Sequence, residues 1–325
     1  MLLVEDLNTL LNTKYVGKKN LSIEEISSIK NASKNSVIFV SQISQINIKN
    51  IYKAGVILTS KDIAKCLPNS NILIADNPKL KFAELTNIFF KIKNNKKDSR
   101  SSNKTNGQFF KGNDVFIGSN FSHGINVVIE DNVKIGNNVF LGHNVVLHSG
   151  VKIGSNVSIE SGSVIGSEGF GNILDQNNKW LHIKHLGSVF ISDNVSIGSN
   201  CCIDSGTLDD TTIESGVIID NSVHIAHNVH IGQDSAIAAK VGIAGSCVIG
   251  KRNMIGGMVG IVDHIKTTDD VIISATSTVT KDIKAPGTYT GIMPMVKHSR
   301  WKRIALWITK LDKIARFMDL KTSKL

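Results

Sequence analysis

Aromatic residues and prolines are scarce in this chain of 325 residues, which is only 6% Phe, Trp and Tyr and has 4 prolines. Glycine is more frequent, with 27 residues, and Val, Ile, Asn and Ser are prominent along the chain. Many short β-strands joined by tight turns fit this composition, because β-branched residues favour strands and Gly and Asn favour turns. A bundle of long helices does not fit it.

Cysteines and long apolar runs are also few. The 4 cysteines contain no CxxC pair and have no spacing typical of a disulfide framework. The chain starts with MLLVED, which has acidic residues where a secretory signal needs a basic region. No stretch approaches the roughly 18 uninterrupted apolar residues of a membrane-spanning helix. We therefore expect a cytoplasmic protein with reduced thiols and no transmembrane segment.

Positive charge is in excess and is concentrated near the C-terminus. The formal net charge is +10, and residues 297–325 contain nine Lys and Arg against two Asp, a local surplus of seven positive charges. Such a cluster is typical either of a solvated helix face or of a surface that binds an acidic partner. It has no recognisable recognition motif for nucleic acid, so we expect no nucleic-acid partner.

A repeat with a period of six begins at Val115. Nine consecutive hexads follow one another without a slip, namely VFIGSN, FSHGIN, VVIEDN, VKIGNN, VFLGHN, VVLHSG, VKIGSN, VSIESG and SVIGSE. After an interruption at about 169–188 the period resumes, slips once at 207–210, and continues to about Asp282. Each hexad is interpreted as a short strand and a turn, and three hexads form a triangular coil of about 18 residues that bonds to the coils above and below. The sequence predicts a mainly β protein with a left-handed parallel β-helix at 114–284.

The segments on either side of the repeat lack this period. Residues 1–100 are predicted to form a small α/β domain, with strands at 36–40, 55–59 and 71–75 and helices near 23–30 and 80–93. Residues 101–113 belong to a stretch rich in Lys, Asn and Ser and are predicted to be a linker. Residues 285–325 are predicted to contain a turn segment and one basic amphipathic helix at 301–320.

Ten histidines raise the question of a metal site, since some carbonic anhydrases of this fold hold zinc with three histidines. If Ile225 points inward, His227 points outward two positions later. One coil further along the chain lies Gly245, and a second coil further lies Asp263 beside His264, so we place His227, Gly245 and His264 in one column. Two coil rises, roughly 10 Å, are too far for both histidines to bind one ion. We predict no metal site and instead an elongated cleft, in which Gly245 lets a substrate carbonyl approach a backbone N–H.

The other histidines of the repeat have less specific expected positions. His123 occupies an inward slot and is expected to be a hydrogen-bonded structural residue. Surface or subunit-interface positions are expected for the remaining four, which are His143, His148, His224 and His230.

Several longer motifs resemble one family. They are ADNP at 75–78, EGFG at 168–171, TLDDT at 207–211, VIIDNSVHIAHNV at 217–229, VGIAGS at 241–246 and YTGIMP at 289–294. In these motifs the chain resembles the UDP-3-O-(3-hydroxyacyl)glucosamine N-acyltransferases of lipid A synthesis, which are hexapeptide-repeat acyltransferases. The resemblance implies transfer of an (R)-3-hydroxyacyl group from acyl carrier protein to the 2-amino group of UDP-3-O-(3-hydroxyacyl)glucosamine, which gives UDP-2,3-diacylglucosamine. It implies a homotrimer that binds no cofactor of its own, because the donor carries the phosphopantetheine.

The resemblance also implies roles for individual residues. His227 matches the family's general base, which removes a proton from the attacking amine. Gly245 matches the N–H donor to the oxyanion, Asn221 a polar group of the reaction centre, and His264 a second histidine that contacts the acyl donor.

The family holds the uracil between a Phe and a Tyr, and here the chain departs from it. Phe39 matches the first aromatic, but an ungapped alignment places Gln45 at the Tyr and Gln42 at an intervening Asn. Either the uracil stacks on Phe39 alone, which loses roughly 1–3 kcal/mol, or another aromatic such as Tyr52 replaces the Tyr. Phe39 also fits a core position of a strand.

An acyl carrier protein is strongly acidic, so the basic C-terminal cluster is predicted to dock it. The leading candidates are Lys297, Arg300, Lys302 and Arg303. Three other functions share the fold: a nucleotide-sugar N-acetyltransferase that uses acetyl-CoA, a trimeric carbonic anhydrase, and a noncatalytic scaffold.

Overall fold

A computed structural model describes residues 2–42, 51–98, 109–291 and 295–318. The chain divides into two compact units, Met1–Thr105 and Asn106–Leu325. None of the helices in the described ranges combines the length and apolar character that a bilayer crossing requires.

The first unit is built on a five-stranded sheet. In spatial order its strands are Lys14–Val16, Ile72–Ile74, Val56–Thr59, Ser36–Phe39 and Glu25–Ile26. The first strand is antiparallel to its neighbour and the others are parallel. The central strands are apolar on both faces, as is typical of covered parallel strands: Val56 and Leu58 pack in one cluster and Ile57 in another. The helices whose full extent lies within the described residues are α1 (Val4–Leu11), α2 (Lys61–Lys65) and α3 (Pro78–Asp98), and Leu2–Leu3 pairs with Ser22–Ile23.

Most elements predicted for this unit are confirmed. The three predicted strands and the helix near 80–93 are present, although α3 continues to Asp98. The helix predicted near 23–30 is wrong, because Glu25–Ile26 pairs with the edge of the sheet and only a short 3-10 helix, Ile29–Asn31, follows. Strand pairing with Ser36–Val37 overrides the weak helical pattern of the segment.

The second unit is a parallel β-helix, so the predicted fold class is confirmed. The first face contains the strands Phe109–Lys111, Val127–Ile129, Val146–Leu147, Val164–Ser167, Cys202–Asp204, His224–Ile225, Gly242–Ile243, Gly260–Ile261 and Thr278–Val279. The second face contains Phe116–Ile117, Lys134–Ile135, Lys152–Ile153, Val189–Ile191, Thr211–Ile213, His230–Ile231 and Val248–Ile249. The third face contains Ser122–His123, Phe140–Leu141, Ser158–Ile159, Ser196–Ile197, Ile218–Ile219, Ala236–Ile237, Met254–Ile255, Val271–Ile273 and Gly287–Tyr289.

The hexad pattern explains both the core and the corners. The aliphatic residue at the third position of each hexad is buried along almost the whole stack, from Ile129 to Ile273. The last residue of many hexads has a positive φ, for example 56° at Asn138 and 58° at Asn156, and Asn tolerates this conformation better than most residues. The amides at these corners also bond from coil to coil, with Asn138 Nδ2 donating to Asn156 Oδ1 at 3.0 Å.

Both ends of the β-helix lie outside the predicted range of 114–284. Phe109–Lys111, in the predicted linker, pairs with Val127–Ile129, and Gly287–Tyr289 pairs with Val271–Ile273. At the first coil His123 is in register with Leu141, as an inward residue should be, but it is exposed. Its ring stacks on Phe109 at 4.6 Å, and its Nδ1 lies 2.7 Å from the Gly124 carbonyl oxygen.

Two insertions break the regular coil length. Lys152 pairs with Phe190 instead of with a residue one coil away, so an extra segment loops out of the β-helix and includes a hairpin of Asn172–Leu174 and Trp180–His182. Cys202 pairs with His224, again more than one coil away, which accommodates the slip at 207–210. We call residues 168–187 the insertion loop.

The C-terminal segment forms two helices rather than the one predicted, namely α4 (His298–Ile308) and α5 (Leu311–Phe317). The apolar residues of the predicted amphipathic stripe are largely exposed, including Trp307 and Phe317.

Candidate active site

A cleft of about 660 Å³ lies along the first face of the β-helix. His227, Gly245 and His264 line it, so the structure brings together three of the four predicted catalytic residues. The lining also includes the outward residues of three successive strands on this face, which are His224, Gly242 and Gly260.

A neighbouring amide fixes the orientation of the His227 ring. Its Nδ1 lies 3.1 Å from Oδ1 of Asn228, and that oxygen also accepts a bond of 2.9 Å from the Thr207 backbone N–H. The Asn228 Nδ2 donates to the Asp209 carbonyl at 3.1 Å, which identifies Oδ1 as the acceptor. His227 therefore carries its proton on Nδ1 when neutral, and the lone pair of Nε2 is free to accept a proton. The slip segment TLDDT thus positions the imidazole.

Gly245 lies directly against this imidazole. A Cβ at position 245 would be 2.6 Å from both Nε2 and Cε1 of His227, closer than real Cβ atoms approach other heavy atoms. The glycine is required here because any side chain would displace the ring.

The backbone N–H of Gly245 has no acceptor among the described residues. In other coils, the backbone N–H at the same turn position donates to a side-chain oxygen of the residue one coil further along the chain. Asn113 donates to Asp131 Oδ1 at 2.6 Å, and Lys251 donates to Asp269 Oδ1 at 2.8 Å. The corresponding Asp263, which is also described, makes no such bond to Gly245. An unpaired N–H beside a free imidazole nitrogen is an arrangement that can stabilise a developing oxyanion.

His264 lines the cleft, but it does not belong to the column in which the sequence places it. The residue two coils above His227 is Asp263, whereas His264 stacks above Asn228 and Ser246 and has a φ of 59°. Its backbone N–H donates to the Gly245 carbonyl at 3.0 Å. The turn therefore holds His264 at the edge of the same cleft, one position along the chain.

Asn221 is not in this cleft. It lies at the corner between the third and first faces, whereas His227 lies at the corner between the first and second faces. Its Oδ1 accepts from the Ser199 backbone N–H at 2.8 Å, and its Nδ2 donates to Asp220 Oδ1 at 2.7 Å. Within one chain, Asn221 and His227 are at opposite ends of the strand His224–Ile225.

The sequence predicts a surface or interface position for His224, and the structure shows it exposed and also lining the cleft. Its Nε2 is 3.6 Å from Oδ2 of Asp204, a carboxylate that is only 5% exposed. The next two coils have glycine at the same register, Gly242 and Gly260, and a Cβ at either would project into open space. The regular spacing of these three positions, one coil apart, is the signal that identifies them in the sequence.

The insertion loop approaches the cleft and brings two further residues to it. Phe170 is 82% exposed and lines the cleft, and the His185 ring meets the His227 ring edge-on at a centroid distance of 5.1 Å. Burial, and secondarily the adjacent His227, lowers the pKa of His185. Gly169 permits this contact, because a Cβ there would be 2.9 Å from His185 Nε2 and 3.0 Å from His227 Cβ. Sequence patterns do not reveal His185, since the loop has no repeat register.

In the first unit, Phe39 stacks on Phe82 with a centroid distance of 4.7 Å and is partly buried. It also lines a small cavity of about 230 Å³ together with Asp76, Asn77 and Pro78 of the ADNP motif. Both interpretations of Phe39, as a core residue and as a site residue, thus have structural support. Gln42 is exposed, and Gln45 lies outside the described residues. Tyr52 is exposed and does not line this cavity.

The four basic docking candidates are exposed. Lys297 immediately precedes α4, and Arg300, Lys302 and Arg303 lie within it. In the portion of the chain that the structure describes, no carboxylate forms an ion pair with any of them. Their charges are therefore available to an external partner.

Comparison with known proteins identifies the family. The model described as "Bacterial transferase hexapeptide (six repeats)" matches residues 114–149, 132–167 and 210–245. UDP-3-O-acylglucosamine N-acyltransferase of Vesicomyosocius okutanii is 44% identical over 98% of each chain. The enzyme of the same name from Ruthia magnifica is 44% identical over 97% of this chain and 96% of its own.

Among solved structures, LpxA from Acinetobacter baumannii matches with a TM-score of 0.51 and 26% identity, over 57% of this chain and 69% of its own. The UDP-N-acetylglucosamine acyltransferase of Francisella novicida, at 24% identity and a TM-score of 0.51, covers 57% of this chain and 65% of its own and shares the fold. The repeat, the cleft and the relatives that match nearly the whole chain agree, and the protein is an acyltransferase that belongs to the UDP-3-O-acylglucosamine N-acyltransferase family.

Proposed function

We propose that this enzyme transfers an (R)-3-hydroxyacyl group from acyl carrier protein to the 2-amino group of UDP-3-O-(3-hydroxyacyl)glucosamine and gives UDP-2,3-diacylglucosamine for lipid A. The observation that carries the proposal is the contact of His227 Nε2 with Gly245, whose N–H is unpaired among the described residues, in an elongated cleft. The names of the two relatives that match nearly the whole chain support the choice of acceptor.

His227 acts as the general base in the proposed reaction. The acceptor amine attacks the thioester carbonyl while Nε2 takes a proton from the nitrogen, and the carbonyl π electrons move to oxygen. The Gly245 N–H donates to that oxyanion. When the intermediate collapses, the C–S bond breaks, the amide forms, and the proton on His227 is available to the departing thiolate. Proton transfer needs only the imidazole that Asn228 already orients.

The proposed donor would lie along the first face. The cleft extends from His227 past Gly242 and Gly260, where missing side chains leave space for a linear chain. We propose that His264, which lines the cleft, contacts the acyl donor. The enzyme itself supplies no cofactor, because the phosphopantetheine belongs to the carrier protein. Such a donor is met in the cytosol, so we propose a cytoplasmic enzyme.

For the UDP moiety we propose the cavity between Phe39 and the ADNP motif. Phe82 stacks on Phe39 and supports it from within the unit, so Phe39 can offer a ring to the uracil. We further propose that Gln42 and Gln45 are near the base, as in the family alignment. Stacking on one aromatic ring is then the simpler of the two arrangements, because Tyr52 does not line the cavity.

We expect a cyclic trimer whose active sites are completed between subunits. The cleft is an open groove on one face, and a neighbouring face would shield an acyl chain from water. Asn221, at the far corner of the same face, would then contribute to the site of a neighbouring copy. Light scattering should give three times the chain mass of 35.2 kDa. An active monomer would refute this arrangement.

The basic cluster is proposed to dock the acyl carrier protein. Reversing all four charges, Lys297→Glu, Arg300→Glu, Lys302→Glu and Arg303→Glu, should raise KM for acyl carrier protein and weaken its salt dependence. Exposed ion pairs contribute only about 0.2–1 kcal/mol each, so the cluster should act mainly on encounter between the two proteins. The KM for the UDP-sugar should change little.

A matched control reverses four exposed lysines of the first unit, which are Lys14, Lys19, Lys30 and Lys53. This variant has the same net charge and should keep the normal KM for acyl carrier protein. If the two variants had equal effects, or if the C-terminal variant showed unaltered kinetics across a salt series, the basic cluster would be only a solvated helix face.

A donor panel tests the proposed function. Purified protein is supplied with UDP-3-O-acylglucosamine and with 3-hydroxyacyl carrier proteins of several chain lengths or acetyl-CoA, and turnover is measured for each donor. We expect turnover with at least one hydroxyacyl carrier protein and little with acetyl-CoA. Higher turnover with acetyl-CoA than with any hydroxyacyl carrier protein would favour an acetyl-CoA-dependent N-acetyltransferase of the same fold.

A further inference from the structure

The insertion loop contains a group of three potential metal ligands that the acyl transfer does not use. Glu168, His182 and His185 each offer one ligand atom, and these three atoms all lie within 4.8 Å of one another. Glu168 is at the start of the loop, His182 ends the second strand of its hairpin, and His185 lies in the return segment. The group therefore joins the two ends of the loop.

The two histidines present nitrogen atoms that are buried and poorly satisfied. Neither Nδ1 nor Nε2 of His185 has a hydrogen-bond partner among the described residues, although both atoms are inaccessible to solvent. The Nε2 of His182 is also buried, 2.9 Å from a Glu168 oxygen but without the geometry of a hydrogen bond. A buried imidazole without partners costs free energy unless something binds it.

Outer contacts orient the ligands. The Nδ1 of His182 lies 3.1 Å from Asn172 Oδ1, so the ring donates there and directs the lone pair of Nε2 toward Glu168. Lys184 Nζ donates to Oε2 of Glu168 at 3.3 Å, which holds this carboxylate in place. Histidines and carboxylates supported in this way are common in zinc sites.

We propose that Glu168, His182 and His185 bind one Zn²⁺ ion that fastens the insertion loop. Two imidazoles and one carboxylate suit Zn²⁺ better than they suit Ca²⁺ or Mg²⁺, which prefer oxygen ligands. The repeat pattern does not predict this site, because these residues lie in the insertion loop. The distance of two coil rises that argues against a metal between His227 and His264 does not apply to them. The role is structural: the ion holds the loop that carries Phe170 and His185 beside His227.

A second group, Cys202, Asp204 and His224, has similar spacing but is a weaker candidate. Ser167 donates to Asp204 Oδ1 at 2.7 Å and lies 3.1 Å from the Cys202 sulfur, so two of its three members already have partners. Burial raises the pKa of Cys202, which opposes formation of the thiolate that zinc requires. A variant of this group, Cys202→Ser, therefore serves as a comparison for the zinc-binding test.

Zinc binding to the full-length protein tests the proposal. Protein treated with a chelator is titrated with Zn²⁺ in competition with a chromophoric indicator, and bound zinc is measured by elemental analysis after dialysis. We expect about one zinc per chain. His182→Gln and His185→Gln should each weaken binding by more than about tenfold, since even outer partners of metal ligands contribute that much.

A second readout reports on the loop itself. Tryptic cleavage after Lys179, in the hairpin turn, should slow when Zn²⁺ is added to the wild type and should not change in His185→Gln. His230→Gln is the matched control, because His230 pairs with Glu214 at 3.1 Å without a third ligand among the described residues, and it should bind zinc normally. Absence of stoichiometric zinc in the wild type, or loss of zinc binding in Cys202→Ser but not in His182→Gln, would overturn the proposal.

Discussion

His227→Ala is expected to fold, to assemble normally, and to lose about 10²–10⁴-fold in turnover, the usual contribution of a general base. The side chain projects into the cleft rather than into the aliphatic stack, so its removal leaves no cavity in the core. The loss should appear in kcat, because the imidazole acts on the reacting amine. Steady-state kinetics with saturating donor and acceptor measure it.

His230→Ala is the matched control for this variant. His230 is also an outward histidine of the β-helix, but it lies on the second face and pairs with Glu214. It should keep nearly normal kcat and thermal stability. If a folded His227→Ala kept nearly normal kcat, the assignment of the base would be wrong.

Gly245→Ala should be almost as damaging, although it adds only one methyl group. The new Cβ would lie 2.6 Å from the His227 ring, which must then leave its bond to Asn228 or move into the cleft. The methyl group would also obstruct the carbonyl that the Gly245 N–H is proposed to bind. We expect a loss of about 10²-fold or more in kcat, comparable with removal of an oxyanion donor.

Gly257→Ala provides a close control. Gly257 has the same turn position at another corner, and its added Cβ would meet only the Ala239 carbonyl oxygen at 3.4 Å, an ordinary contact. This variant should keep both activity and melting temperature. Comparable losses in the two alanine variants would mean that the effect at 245 is one of folding rather than of the active site.

The hexapeptide period predicted the β-helix and much of its site. A step of one coil takes His227 to Gly245, and the structure shows these two residues in contact. A second step leads to Asp263 and not to His264, so the assignment of His264 to that column was wrong by one position. Periodicity identifies which residues share a column, but turn geometry decides which side chains enter the cleft.

Features outside the period could not be predicted in this way. The contact between His185 and His227 depends on how the insertion loop folds back, and no repeat constrains it. The support of Asn228 by Thr207 and Asp209 arises from the slip at 207–210, which shifts the local register. The helix predicted near 23–30 failed for a related reason, since strand pairing with a distant segment determined its conformation.

The most direct test of the proposed reaction is the position on the acceptor that becomes acylated. A 3-hydroxyacyl carrier protein is incubated with UDP-3-O-acylglucosamine or with the same sugar whose 2-amino group is already acetylated, and the products are analysed by mass spectrometry. We expect a new amide on the free amine, no product from the blocked acceptor, and loss of the reaction in His227→Ala. Acylation of the blocked acceptor at a hydroxyl group, or unchanged N-acylation by His227→Ala, would contradict the proposed reaction.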